Sequence, residues 1–423
     1  MTVVMLAVGS RGDVQPLACL AGGLRRRGVA VSLVGLAEYA GLVDEFGAGA
    51  RFVPIVGDLA TAVRRGGIKD ALGSTSFGQL TLLKRWVASL SSAFVDAALG
   101  EVGPGDTVVS GVLSRGVAAA LATARGARVA TIVYTAQPPT LQRESFVFPQ
   151  YFSGWRPYDR WGTRFAWQLS TSVGGVLTRE ARRRLGLPRL SSRAVSRDAD
   201  RHPTIVAASP VLVPPAPDWS PRVHQSGYPA PPLRSFEPEP ALAEFLAQPG
   251  CVYVGFGSFT QFATSRDVEE LADVASLSGR PIVTLAPAGV PEGVVAPGLF
   301  AARAVPFEWL FSHVDATIHH GGAGTTHEAL RSGVPSVVTP IGTDQPYHAG
   351  RLHGLGLGPA PVARRRAGAA DLARLIDEML GSSRSEAYRL RAREHAEAVR
   401  AEDGVGSTID VLERLGLVSA TGR

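Results

Sequence analysis

The stretch "TVVMLAVGSRGDVQPLACLAGGLRRRGVAVSLVGL", Thr2 to Leu36, decides the fold. It opens with a continuous apolar run that ends in glycine, the pattern of a strand buried on both faces of a parallel sheet. "DVQPLACLAGGLRRRG" then has helical spacing and stops at Gly28, and "VAVSLVGL" reads as the next strand. The same rhythm runs through "DTVVSG", "VAAALATARG" and "RVATIVYT". Alternating units of this kind predict an open parallel sheet with helices on both faces.

The rhythm breaks at Gln137, where a segment rich in aromatics begins, and resumes with an arginine-rich helix at Arg179 to Leu190 and a strand, "TIVAASPVLV". Residues 214–240 are dense in proline and read as an inter-domain linker. A second α/β rhythm follows in "CVYVGFGS", "RPIVTLAP", "DATIHHGG" and "PSVVTP". The expected architecture is α/β, with two doubly wound Rossmann-like domains, 1–213 and 241–384, facing a central cleft. Residues 385–423 read as polar amphipathic helices expected to pack back on the N-terminal domain. In such sheets ligands bind beyond the carboxyl ends of the strands.

Composition narrows the function classes. At 423 residues the chain has room for two ordinary cores, and 45% hydrophobic with 19% charged residues is the balance of a globular protein. The net charge of +6 is carried almost wholly by scattered arginines, since Lys69 and Lys84 are the only lysines. No arginine cluster is interleaved with aromatics as in a nucleic-acid module, so no nucleic-acid partner is expected. Cys19 and Cys251 lie far apart in apolar runs and are expected to be free buried thiols. No apolar stretch reaches the ~20 residues of a membrane span and no signal sequence is evident, so a cytoplasmic location is expected.

The chemistry concentrates in "IHHGGAGTTHEALRSGVPSVVTPIGTDQP", Ile318 to Pro346. A strand delivers two histidines and a glycine-rich turn to the start of a helix, read as beginning near "HEALRSG". A helix start exposes unpaired N–H groups and the positive end of the dipole, worth roughly 0.3–2 kcal/mol to an anion. Gly321, Gly322 and Gly324 permit close approach of the backbone, so a diphosphate is the expected occupant. A plain alternative is a tight turn in which Thr325 or Thr326 caps the helix. There is no G-x-x-x-x-G-K-[ST] and no G-x-G-x-x-G after the first strand, which excludes the common nucleotide triphosphatase and dinucleotide fingerprints.

"VPFEWLF…IHHGGAGTTHEAL…P…TDQP", with "VYVGFGSFT" and "GSRGDVQP", resembles the signature of family-1 nucleotide-sugar glycosyltransferases of the GT-B fold. The bacterial antibiotic (glycopeptide and polyketide) and sterol or lipid enzymes are the subset it is most similar to. The resemblance spans nearly the whole chain and implies roles position by position. His320, Gly322, Ala323, Gly324 and Thr325, with Ser258 from the neighbouring loop, would meet the donor diphosphate. Glu328 would hold the ribose, Val305 and Phe307 the base, and Asp344 and Gln345 the sugar hydroxyls. Ser10 and Arg11 are further possible donor contacts, and Arg11 reads equally well as a surface arginine. The plant-type enzymes stack a tryptophan on the base, where this chain has Ala304 and Phe307, so uridine against thymidine stays open.

The resemblance also places a catalytic base. Many relatives have a histidine in "G-H-x-x-P"; this chain has "GDVQP", as the antibiotic and sterol subset does, which assigns the role to Asp13. Its plain alternative is a helix N-cap. An ordinary aspartate is ionised near neutrality, so it would accept the acceptor's proton late, as the new C–O bond forms. Phe146, Phe148, Trp155 and Trp161 mark the acceptor region and suggest a large, partly apolar acceptor, with a polyketide or glycopeptide aglycone first and a lipid or sterol at a membrane surface as the alternative. Phe77 to Leu99 is a second amphipathic stretch that would line the same cleft. The "DAD" at Asp198 to Asp200 is read as chance rather than a metal motif; no metal and no cofactor is expected, with a UDP- or dTDP-sugar as co-substrate and a monomer or homodimer as the assembly. A non-catalytic nucleotide-sugar binding protein is the rival from another class.

Overall fold

The computed structural model describes residues 1–57, 76–141, 156–257, 265–287, 289–303 and 305–419, with the side chains of 76–80, 82, 156 and 265 also left aside. The chain divides into two compact units, Met1–Pro231 with Asp403–Arg423, and Pro232–Glu402. The boundary falls inside the proline-rich stretch.

The first unit is built on β1 (Thr2–Leu6), α1 (Arg11–Arg26), β2 (Ala30–Leu36), α2 (Ala40–Phe46), β3 (Arg51–Ile55), α3 (Ser76–Glu101), β4 (Thr107–Ser110), α4 (Arg115–Arg125), β5 (Arg128–Val133), α5 (Arg156–Val173), α6 (Gly175–Arg184), α7 (Ser192–Ala199), β6 (Thr204–Val206) and β7 (Val223–Gln225). Its seven strands are all parallel, in the order β3-β2-β1-β4-β5-β6-β7. Both faces are buried: Val3 and Met5 pack under α1, while Val4 and Leu6 face the cluster that includes Val87, Leu90 and Phe94 of α3. This is why the strand reads as an unbroken apolar run rather than an alternation. It also places Trp86, Leu90 and Phe94 of the second amphipathic stretch in the core. β7 lies within the segment expected to be pure linker; its pairing with β6 depends on a partner strand that the proline-rich composition does not reveal.

The second unit comprises α8 (Pro240–Leu246), β8 (Val252–Gly255), α9 (Ser265–Ser278), β9 (Ile282–Leu285), β10 (Gly293–Ala296), β11 (Leu299–Ala302), α10 (Phe307–Leu310), β12 (Ala316–His319), α11 (Ala323–Ser332), β13 (Ser336–Val338), α12 (Gln345–Gly354), α13 (Ala369–Leu380) and α14 (Ser385–Arg400). The sheet order is β10-β11-β9-β8-β12-β13, parallel except for the β10–β11 edge pair. The C-terminal helices part company. Arg400 of α14 donates to Arg331 O at 2.7 Å and Ser332 O at 2.8 Å, capping the last carbonyls of α11 in the second unit. Only α15 (Gly404–Arg414) returns to the first unit, where Ile409, Val411 and Leu412 join the core beside α1. Of the segment 385–423, expected as a whole on the first domain, α14 thus lies in the second unit and α15 in the first. Among the described residues no helix is long and apolar enough to cross a membrane.

Each sheet reverses its winding once, between β1 and β4 in the first unit and between β8 and β12 in the second. At such a point neighbouring loops leave in opposite directions and open a crevice at the carboxyl edge. The two sequence stretches singled out above sit at these two points.

Candidate functional site

In the second unit β12 ends at His319 and α11 begins at Ala323, four residues before the helix start read from the sequence. Neither threonine caps it. The N-cap is Gly322, which has no side chain to offer, and Thr326 Oγ1 instead donates back to Gly322 O at 2.9 Å. The first amides of α11, at Ala323, Gly324 and Thr325, therefore have no intrahelical partners. An uncapped start is costly to leave unmet, so it points to an anionic ligand.

His320 stands beside these amides and is 6% exposed. Its ring lies in a slot between two glycines: a Cβ at Gly257 would come within 2.2 Å of Cε1, and one at Gly322 within 2.5 Å of Nε2. Burial, and secondarily His348, push the His320 imidazole down to about 4, so it is neutral at pH 7. His319 is held well below the usual range and His327 at about 3, again chiefly by burial. Among the described residues no cluster of three or more His, Cys, Asp or Glu side chains has a metal-holding arrangement.

One turn along α11, Glu328 is 5% exposed. Arg331 grips its Oε2 through Nε at 3.1 Å and Nη2 at 2.9 Å, while its buried Oε1 has no hydrogen-bond partner among the described residues. Burial raises this carboxyl to about 7 against the lowering effect of Arg331, with Glu308 adding to the rise. Glu328 is thus a buried acid and not a solvated residue of the helix surface. Val305 is buried, and the Phe307 ring stacks on Phe311 at 4.9 Å and meets Tyr253 edge-on at 5.5 Å. The Phe307 side chain thus packs into the aromatic core.

Asp344 and Gln345 mark the start of α12. The Gln345 Oε1 accepts from Ile341 N at 2.7 Å and Gly342 N at 3.1 Å, so half of this carboxamide builds the loop itself. Thr343 adopts φ 56°, rare for a β-branched residue, with its hydroxyl 2.8 Å from Gly342 O and 2.9 Å from Asp344 Oδ1. Ser258 and Ala304 lie outside the described residues.

In the first unit Asp13 is the third residue of α1, and the N-cap is Ser10. Asp13 Oδ2 accepts from Ser10 N at 3.1 Å, so the carboxylate caps from N3 rather than from the N-cap position. Gly9 makes room for it: a Cβ there would fall 1.8 Å from Asp13 Oδ2. Arg11 Nε pairs along the helix with Gln15 Oε1 at 2.8 Å on the exposed face. Tyr134, just past β5, brings a buried hydroxyl with no hydrogen-bond partner among the described residues, and its phenol is raised by burial, by Tyr228 and by Asp13. Tyr39, past β2, is raised likewise by burial, with smaller effects from Glu38 and Asp13. The carboxyl edge of the sheet thus gathers a carboxylate and two phenols from three strand ends. Gly257 lies within the quoted "VYVGFGSFT", but its role as a wall for His320 shows only in the fold, and the two tyrosines and His348 have no motif spacing to betray them.

Phe146, Phe148 and Trp155 lie outside the described residues. Trp161 is 61% exposed on α5, stacked on Phe165 at 5.3 Å with Tyr158 alongside. Trp167, on the opposite face, is core, with Arg115 over its ring at 4.0 Å. The "DAD" carboxylates are engaged structurally: Asp200 accepts from buried Arg115 and from Trp167 Nε1, and Asp198 lies 3.9 Å from Arg182.

Residues 269–405 match the family described as erythromycin biosynthesis protein CIII-like, C-terminal domain. The chain is 28% identical over 98% of its length, and 97% of the relative, to O-mycaminosyltylonolide 6-deoxyallosyltransferase of Streptomyces fradiae. It is 26% identical over 96% of its length to a sterol 3-beta-glucosyltransferase of Kluyveromyces lactis, of which it spans 34%. Among solved structures, the calicheamicin glycosyltransferase CalG4 superposes with a TM-score of 0.68 at 20% identity, covering 99% of both chains. SsfS6, a Streptomyces glycosyltransferase complexed with thymidine diphosphate, does so with 0.62 at 18%, covering 98% of this chain and 99% of that one. The chain therefore has the two-unit parallel-sheet architecture of the GT-B glycosyltransferases and, along nearly all its length, resembles those of antibiotic and sterol glycosylation.

Proposed function

We propose that this chain is an inverting, metal-independent glycosyltransferase that moves a sugar from a UDP- or dTDP-sugar to a hydroxyl of a large, partly apolar acceptor. The observation that carries the reading is the uncapped start of α11 at the switch point of the second sheet, with His320 beside it and the unpartnered Glu328 Oε1 one turn on. The amides and the imidazole suit a diphosphate, and a carboxylate oxygen with open lone pairs suits a ribose diol. The relatives' activities support the same class.

In the proposed reaction the acceptor oxygen attacks the anomeric carbon as the bond from that carbon to the diphosphate oxygen breaks. The electron pair leaves with the diphosphate. The α11 amides, the helix dipole and His320 stabilise the charge that develops there, the work a divalent cation does elsewhere. The acceptor's proton passes to Asp13, which is worth about 10²–10⁴ in rate. We favour a polyketide-like or glycopeptide aglycone; the exposed Tyr158, Trp161 and Phe165 beside exposed Arg160 and Arg164 favour a lipid or sterol as the second reading.

The test pairs calorimetry with UDP and dTDP against transfer from UDP- and dTDP-glucose to macrolactone, aromatic polyketide and sterol acceptors, with and without EDTA. Binding of at least one nucleoside diphosphate and EDTA-resistant transfer are expected. Protein that is folded yet binds neither diphosphate overturns the proposal.

A further inference from the structure

The glycine-rich turn is held from beneath by two histidines that carry no role in the reading above. Gly321 has φ 90°, and a Cβ there would lie 2.5 Å from Val338 Cγ1, so the turn is already committed to one backbone path. Both its polar groups are taken by imidazoles. Gly321 N donates to His319 Nδ1 at 3.1 Å, and Gly321 O lies 2.6 Å from His348 Nδ1. These partners fix the tautomers: a carbonyl only accepts, so His348 carries its proton on Nδ1, while the amide only donates, so His319 Nδ1 is bare and its proton is on Nε2. Both side chains are 0% exposed. His348 comes from α12, the helix that begins with Gln345, so one imidazole ties that helix to the turn preceding α11.

We propose that His348 is a positioning residue for the donor site: its Nδ1–H holds the Gly321 carbonyl, in partnership with His319 on the Gly321 amide, and so sets where His320 and the α11 amides stand. This rests on the donor-site reading given above. The buried Gly321 carbonyl has no water to turn to when His348 is removed, and the peptide that leads into Gly322 is free to rotate. The diphosphate contacts then lose their common geometry although none of them is altered. His319 reads as the counterpart that keeps the other half of the same residue from turning.

The decisive variants exploit side-chain length. Asparagine places its amide N–H close to where imidazole Nδ1 sits, and glutamine places it near Nε2. His348→Asn, His348→Gln and His348→Ala are compared with wild type by calorimetry with UDP and dTDP, by donor and acceptor KM and kcat, and by thermal melting. The expected result is that H348N stays within about threefold of wild type in diphosphate affinity, whereas H348Q and H348A weaken it about tenfold or more, a lost buried hydrogen bond. Donor KM should rise with acceptor KM unchanged. If H348A fails to fold, the Asn and Gln pair still decides. Equal affinities for H348N and H348Q, or no loss in H348A, overturn the proposal while leaving the donor site intact. Wild type binding neither diphosphate overturns the donor-site reading and this proposal together.

Discussion

Replacing Gly257 with alanine should disable His320 without changing an atom of it. Gly257 has φ 59°, and an alanine Cβ would lie 2.2, 2.7 and 2.9 Å from Cε1, Nε2 and Nδ1 of the ring. Ordinary carbon contacts begin near 3.5 Å, so the ring must retreat by about 1.3 Å or more. Gly322 walls the opposite side, where its own Cβ position is 2.5 Å from Nε2. The ring therefore leaves its slot rather than shifting within it. Losing a hydrogen bond to a charged diphosphate costs about 1.5–3 kcal/mol, or roughly 10- to 150-fold in affinity. The left-handed backbone adds about 1–2 kcal/mol of folding cost that has nothing to do with the ligand. Gly289→Ala separates the two effects, because Gly289 has φ 84° and nothing within 4 Å of its Cβ position. Calorimetry with UDP and dTDP should show weak binding in G257A and wild-type binding in G289A, at similar losses of thermal stability. Affinity in G257A within threefold of G289A refutes the role given to His320.

Asp13→Asn should leave UDP and dTDP affinity unchanged and lower kcat for transfer by at least about 10²-fold, measured by product formation at saturating donor. Glu328→Gln addresses pH. With its carboxyl at about 7, wild type must release a proton before the ribose hydroxyls are accepted, so diphosphate affinity should rise between pH 6 and 8 by up to about tenfold and be flat in E328Q. Asp200→Asn should lower stability by about 1–3 kcal/mol in urea titration, since it strips the buried Arg115 guanidinium of its carboxylate while the acid itself is half exposed. The same variant should not acquire a metal requirement.

The apolar runs announced both sheets because burial on two faces removes the need for alternation. Both switch-point loops were legible for the complementary reason that glycine, histidine and aspartate there serve no core. What the residues did not reveal depended on partners distant in sequence. The start of α11 was misplaced because Thr325 and Thr326 look like caps, and only the structure shows that the helix begins ahead of them, uncapped at Gly322. Local preference and observed conformation disagree at that spot, as is common where a ligand is the missing partner. The burial of Glu328 depends on how its helix packs, which the local sequence does not show. The aromatic segment held both kinds of ring at similar density: Trp167 is core and Trp161 is surface, and only the phase of α5 separates them.

The return of α15 to the first unit has a consequence for how this molecule is made and remade. Gly23 of α1 lacks a side chain where Val405 and Ile409 press against it, and Thr107 Oγ1 of β4 donates to Leu417 O. A nascent chain must therefore hold an incomplete first half in reserve until the ribosome has delivered the whole of the second. Recombination with a relative to swap donor preference calls for two crossovers, near Pro231 and near Glu402, and a single splice would graft one parent's closing helix onto the other's α1.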